Sequence, residues 1–97
     1  MVSDGGPLDH GASLEILNLQ GLHARAAAQL VETARQFQSD VTISKDGHSV
    51  NAKSILELML LEATQGTRIE VRATGVDAHE AVHAIGELVR ARFHEAE

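Results

Sequence analysis

Residues 67–74 alternate without a break. Ile69, Val71 and Ala73 fall on one side of an extended chain, and Arg68, Glu70 and Arg72 fall on the other. A strand with one wet face and one apolar face belongs to a half-covered sheet, because strands buried on both faces read as continuous apolar runs. Gly66 and Gly75 bracket the segment and break the pattern at both ends. The chain therefore has to supply further strands to pair with this one, and a second layer to cover its apolar side.

The rest of the 97-residue sequence supplies both. Leu14 and Ile16 run with the polar Glu15 and Asn18 in near alternation, which predicts a strand over residues 13–18. After Gly21 the apolar positions Ala27, Leu30, Val31 and Ala34 recur at helical spacing, predicting a helix over 23–36. Val41 and Ile43 oppose Thr42 in a strand over 40–44, and Asp46-Gly47 is a tight-turn pair leading to a partner strand near 49–51. Ser54 has N-cap chemistry, with Glu57 at capping-box spacing ahead of a short apolar helix reaching residue 61. A last helix over 77–93 would bury Ala78, Val82, Ile85, Val89 and Phe93. The order is βαββαβα: an α+β, two-layer open-faced sandwich, with a four-stranded antiparallel sheet covered on one face by three helices. Residues 1–12, with Gly5-Gly6-Pro7 and little apolar material, read as a disordered tail, and 13–97 as a single domain.

Composition removes several function classes. A net charge of −6 opposes nucleic-acid binding, which needs basic surface to displace counterions. Phe37 and Phe93 are the only aromatic residues of the Phe/Trp/Tyr set, too few for a base-stacking platform. Without cysteine there is no disulfide, thiolate nucleophile or cysteine zinc site. The longest apolar run, residues 58–61, cannot span a bilayer, and no secretory signal precedes the first strand. These features fit a soluble cytoplasmic domain.

Chemistry concentrates at Gly21-Leu22-His23-Ala24-Arg25, where a strand gives way to an alanine-rich helix. The start of a helix exposes unpaired N–H groups and a partial positive charge, so it favours anions. Neutral imidazole has one unprotonated nitrogen available for attack, and Arg25 carries a permanent charge for phosphate oxygens. A histidine and an arginine at such a position suit phosphoryl transfer, which is largely positioning and charge stabilisation. A lone surface histidine more often only flanks a helix; the convergent neighbours reverse that weighting here.

With Asn51-Ala52-Lys53-Ser54-Ile55 and Gln65-Gly66-Thr67 added, the chain from about residue 13 to 93 resembles the HPr family, the histidine phosphocarriers of the bacterial phosphotransferase system. The resemblance implies strand order 1-4-2-3, phosphorylation of His23 at Nδ1, and phosphate stabilisation by Arg25. It assigns Ile55, Leu56 and Met59 to a partner surface, with Leu58 and Leu61 in the core. It further implies a phosphoryl group taken from enzyme I and passed to a IIA-type protein or domain, in sugar transport or regulation. The protein would be a stoichiometric intermediate, not an enzyme, monomeric and without a bound cofactor. Ser54 matches the position of a regulatory serine, for which HPr kinase/phosphorylase would be the partner; as a helix cap alone it would serve no regulation. Ala26 stands where the family usually has proline, which loosens the first turn and adds a donor. Two alternatives stay open: a nitrogen-regulatory branch of the same chemistry, and a docking regulator that carries no phosphate.

His79-Glu80-Ala81-Val82-His83 spells the H-E-x-x-H zinc-protease motif, and Gly86 extends it. The third ligand position of that pattern holds Val89, and only fourteen residues follow His83 in this sequence, too few for the rest of a protease cleft. The two histidines are expected on the solvated flank of the last helix with Arg90, and no metal site is expected. His10, His48 and His94 look isolated.

Overall fold

In the computed structural model, which describes residues 8–95, the elements follow as β1 (Asp9–Glu15), α1 (Ala24–Ala34), β2 (Asp40–Lys45), β3 (His48–Asn51), α2 (Ile55–Leu60), β4 (Arg68–Thr74) and α3 (Ala78–Arg90). A 3-10 turn (Arg92–His94) follows α3. The sheet order is β1-β4-β2-β3, antiparallel throughout. The alternating strand β4 occupies an interior position, pairing Thr74 with both Asp9 of β1 and Asp40 of β2. Its burial follows the sequence pattern: Ile69, Val71 and Ala73 are buried, and Arg68, Glu70 and Arg72 are exposed.

The helices cover the apolar face. The sheet side contributes Leu14, Ile16, Val41, Ile43, Ile69 and Val71 to a core completed by Leu30, Leu58, Ile85 and Phe93. α1 buries Ala26, Ala27, Leu30, Val31 and Ala34, the face its spacing predicted. The Asp46–Gly47 connection has positive φ at both residues, 52° and 81°, as a two-residue type I′ hairpin requires. At α2 the Glu57 N–H donates to Ser54 Oγ at 3.2 Å, so the cap forms. The reciprocal arm of the capping box does not: Glu57 Oε1 accepts instead from the Asn51 N–H at 2.9 Å.

Three boundaries depart from the sequence pattern, and the first is the strand expected to reach residue 18, which ends at Glu15. Residues 9–12, expected in the tail, belong to β1, while positions 1–7 of that tail lie outside the described residues. Asp-His-Gly-Ala has poor strand propensity, but pairing against β4 overrides it, and Arg72 Nη1 meets Asp9 Oδ1 at 3.2 Å. The last helix stops at Arg90 and does not reach Phe93. Arg92, Phe93 and His94 turn into the left-handed region (φ 57°, 53° and 61°), which folds the Phe93 ring into the core at 1% exposure. A continuing helix would have to place that ring by its own periodicity; the left-handed turn places it by redirecting the chain.

Asp77, just before α3, ties that helix to the connection between α1 and β2. Its carboxylate accepts from the Gln38 N–H and the Ser39 N–H, each at 2.9 Å, and from Ser39 Oγ at 2.5 Å. Gly75 permits the approach: a Cβ there would lie 2.5 Å from Ser39 Oγ. The Ser39 hydroxyl and the Gln38 N–H hold the Asp77 carboxyl below its ordinary value against the opposing effect of burial. A folded-state pKa below the unfolded one stabilises the fold above the ordinary carboxylate range, and the gain disappears as pH falls through the folded value. Asp77→Asn is therefore expected to lower Tm at neutral pH, with the gap from the parent closing on acidification. Thermal melts across pH check this, and a gap that stays constant with pH would refute it.

Candidate functional site: a histidine at the start of a helix

Gly21 sets the entry to the site. Its φ is +66°, and a Cβ would lie 2.5 Å from the Ala63 carbonyl oxygen and 2.8 Å from Thr64 Cα. The chain thus passes against the segment following α2, where the Leu22 N–H donates to the Ala63 oxygen at 2.9 Å. Leu22, buried, pins the next residue at the surface, and His23 becomes the N-cap of α1 with extended backbone (φ −77°, ψ −178°). Its side chain makes no capping hydrogen bond. The first helical N–H paired to the cap is that of Ala27, donating to the His23 carbonyl at 2.8 Å. The N–H groups of Ala24, Arg25 and Ala26 precede any such partner. No acidic residue lies in this first turn, so α1 does not neutralise its own positive end.

An open cleft surrounds the helix start. His23, Ala24, Arg25, Gln20 and Gln29 line it on one side, and Phe93, His94 and Glu95 line it on the other. The structure thus brings together the two residues singled out in the sequence, His23 and Arg25. It adds a wall from the far end of the chain that local patterns did not announce. Glu95 Oε2 lies 2.5 Å from His23 Nε2, and Glu95 Oε1 accepts from Asn18 Nδ2 at 3.1 Å. Hydrogen bonding to His23 holds the Glu95 carboxyl below its ordinary value; partial burial opposes this, and the Asn18 bond and the charges of a protonated His23 and of Arg25 reinforce it. Asn18 is fully buried and also donates to the Gly21 carbonyl oxygen at 2.8 Å, so one amide braces both the turn and the carboxylate. Ala26 is fully buried against the core, at the family's proline position.

The other sequence candidates lie elsewhere. Ser54 caps α2. Ile55, Leu56 and Met59 are exposed, at 42, 70 and 41%, while Leu58 and Leu61 are core, matching the division the resemblance implied. Leu60, at 68% exposure, joins the outward-facing residues of α2 and had no assigned role. His79 and His83 are exposed on α3, and among the described residues no group of three or more His, Cys, Asp or Glu side chains is placed to hold a metal. His10, far from isolated, meets His79 edge to face with ring centroids 5.1 Å apart. Among the described residues no helix is long and apolar enough to cross a membrane.

Comparison with known proteins identifies the class of protein to which this sandwich belongs. The family described as PTS HPr component phosphorylation site matches residues 11–91. The phosphocarrier protein HPr of Xylella fastidiosa strain Temecula1 is 52% identical over 88 residues, spanning 91% of this chain and 97% of that protein. The multiphosphoryl transfer protein of Escherichia coli O157:H7 is 36% identical over 94% of this chain but only 26% of its own length. The crystal structure of HPr-C-His from Thermoanaerobacter tengcongensis superposes with a TM-score of 0.88 at 41% identity, covering 91% of this chain and 99% of that one. The chain belongs to the HPr family of phosphocarriers of the phosphotransferase system.

The dependence of the site on Gly21 is directly testable. Gly21→Ala forces a side chain into the left-handed region and against a backbone carbonyl, and is expected to cost about 1–3 kcal/mol. Urea unfolding should show a lower midpoint with an unchanged slope, and an unshifted midpoint would show that the close approach is dispensable.

Proposed function

We propose that His23 is the phosphoryl-accepting residue, taking the group on Nδ1, and that Arg25 stabilises it there. The observation that carries this reading is the coincidence at one helix start of a histidine whose side chain makes no capping hydrogen bond, first-turn N–H groups that precede any helical partner, no first-turn acid and a neighbouring arginine. A phosphoryl group on such a ring meets donors and positive charge already in place, so little has to reorganise when it arrives. Transfer is then a matter of bringing a donor or acceptor protein to the open cleft.

The surface for that docking is the outward side of α2. Ile55, Leu56 and Met59 form the expected contact, extended by Leu60. Apolar side chains in such a group on a small domain favour use as a partner surface. α1 and α2 pack against each other, and the segment after α2 abuts Gly21 and Leu22, so the helix carrying these residues and the turn carrying His23 share one framework. Partners of this reading are enzyme I as donor and a IIA-type protein or domain as acceptor, with the exchange in the cytoplasm. A phosphate on Ser54, supplied by HPr kinase/phosphorylase, would add negative charge beside this surface without disturbing the helix it caps.

Incubation with enzyme I and labelled phosphoenolpyruvate tests the assignment. Acid-labile, base-stable label is expected on the parent and absent from His23→Ala. Label retained by His23→Ala would move the site elsewhere, and no label on the parent with several enzymes I would favour a docking regulator. Leu56→Glu is expected to raise KM for enzyme I about tenfold, close to 1.4 kcal/mol of docking energy, with Tm unchanged. An unaltered KM would remove α2 from the interface.

A further inference from the structure

Both oxygens of the Glu95 carboxylate are committed. One accepts from the amide of fully buried Asn18, whose other amide hydrogen is bound to the Gly21 carbonyl. The other faces His23 Nε2 at 2.5 Å. The Glu95 side chain is 11% exposed, so its contact with the ring is largely shielded from water. Asn18, Gly21 and Glu95 therefore form a braced unit, and the imidazole rests against its end.

The chemistry of that contact is directional. An ionised carboxylate only accepts, so the ring nitrogen facing it carries the proton. A neutral imidazole has one N–H, and a proton on Nε2 leaves the lone pair on Nδ1. We propose that Glu95 is a positioning residue that holds His23 as the Nε2–H tautomer in a fixed orientation, presenting Nδ1 as the nucleophile. This rests on the reading of His23 as the acceptor and adds the residue that prepares it.

The transfer step balances without moving a ring proton. The Nδ1 lone pair forms the new N–P bond while the bond from phosphorus to the donor's leaving atom breaks, its electron pair departing with the donor. The Nε2 proton stays, so the ring becomes cationic as the phosphoryl group arrives, and the Glu95 carboxylate faces that developing charge. In onward transfer the N–P pair returns to Nδ1, and the ring reverts to the same neutral tautomer. A buried carboxylate behind the histidine of hydrolytic triads works by the same logic of tautomer and orientation.

The test separates this role from that of His23. Long-range proton–nitrogen spectra of the ¹⁵N-labelled protein, recorded with the ring neutral, report the protonated nitrogen directly and need no partner protein. The parent is expected to show protonated Nε2 and unprotonated Nδ1 with no averaging between tautomers. Glu95→Ala should give averaged ring shifts and slow transfer from enzyme I about tenfold or more in kcat, with KM retained. Glu95→Gln, which still offers a carbonyl acceptor, should restore the tautomer and recover only part of the rate. A parent spectrum with Nδ1 protonated, or a Glu95→Ala variant unchanged in spectrum and kcat, overturns the proposal. Failure of the parent to take label at His23 would instead sink the acceptor assignment, which the spectra do not depend on.

Discussion

The structure hangs on the pairing of β4 with strands on both sides. Its apolar residues Ile69, Val71 and Ala73 face the helices, and its register fixes where β1 and β2 begin and end. β1 then delivers the chain at Ile16, whose backbone continues the pairing through Thr67 and Gly66 before the turn that carries Asn18 and Gly21. A one-residue slip in that register would send the apolar residues of β1 to the solvent face. It would also move the turn on which His23 is mounted. The site therefore inherits its position from the sheet, and the local sequence around the histidine only completes it.

Electrostatics at the cleft follow a division of labour. α1 leaves its own first turn without acid, so its positive end stays available to an anion. Negative charge comes from across the cleft, at Glu95, and is directed at the imidazole's far nitrogen. Arg25 supplies a permanent cation beside both. An acidic chain of net charge −6 thus keeps one local region suited to phosphate, which matches the phosphocarrier role of its family.

Much of this was legible in the residues because it is local. The period of two in β4, the helical spacing from Ala27 to Ala34 and the Asp46–Gly47 turn each report a backbone conformation within a few positions. The placement of His23 and Arg25 at one helix start was legible because the residues that make a helix start are next to one another in sequence. What escaped is non-local. β1 claims residues 9–12 only because β4 is there to pair with them, and nothing in Asp-His-Gly-Ala signals a strand. Glu95 stands 72 residues from His23, and the left-handed turn at Arg92–His94 that brings it back contains no glycine to give warning. Asn18 read as a polar residue of a nearly alternating strand, whereas it is buried and braces the turn before His23.

The face of α1 has a consequence for how such a carrier can diverge. Ala26, Ala27 and Ala34 are all fully buried, so much of the helix rests on methyl groups, the thinnest side chains that still exclude water. The thickness of that bed sets the height of the helix above the sheet, and with it the height of His23. Enlarging any of the three would lift or tilt the axis, because a packed interior has no slack to absorb the added volume. The height of the histidine at the surface is thus tuned from below, by side chains that are themselves out of reach of solvent.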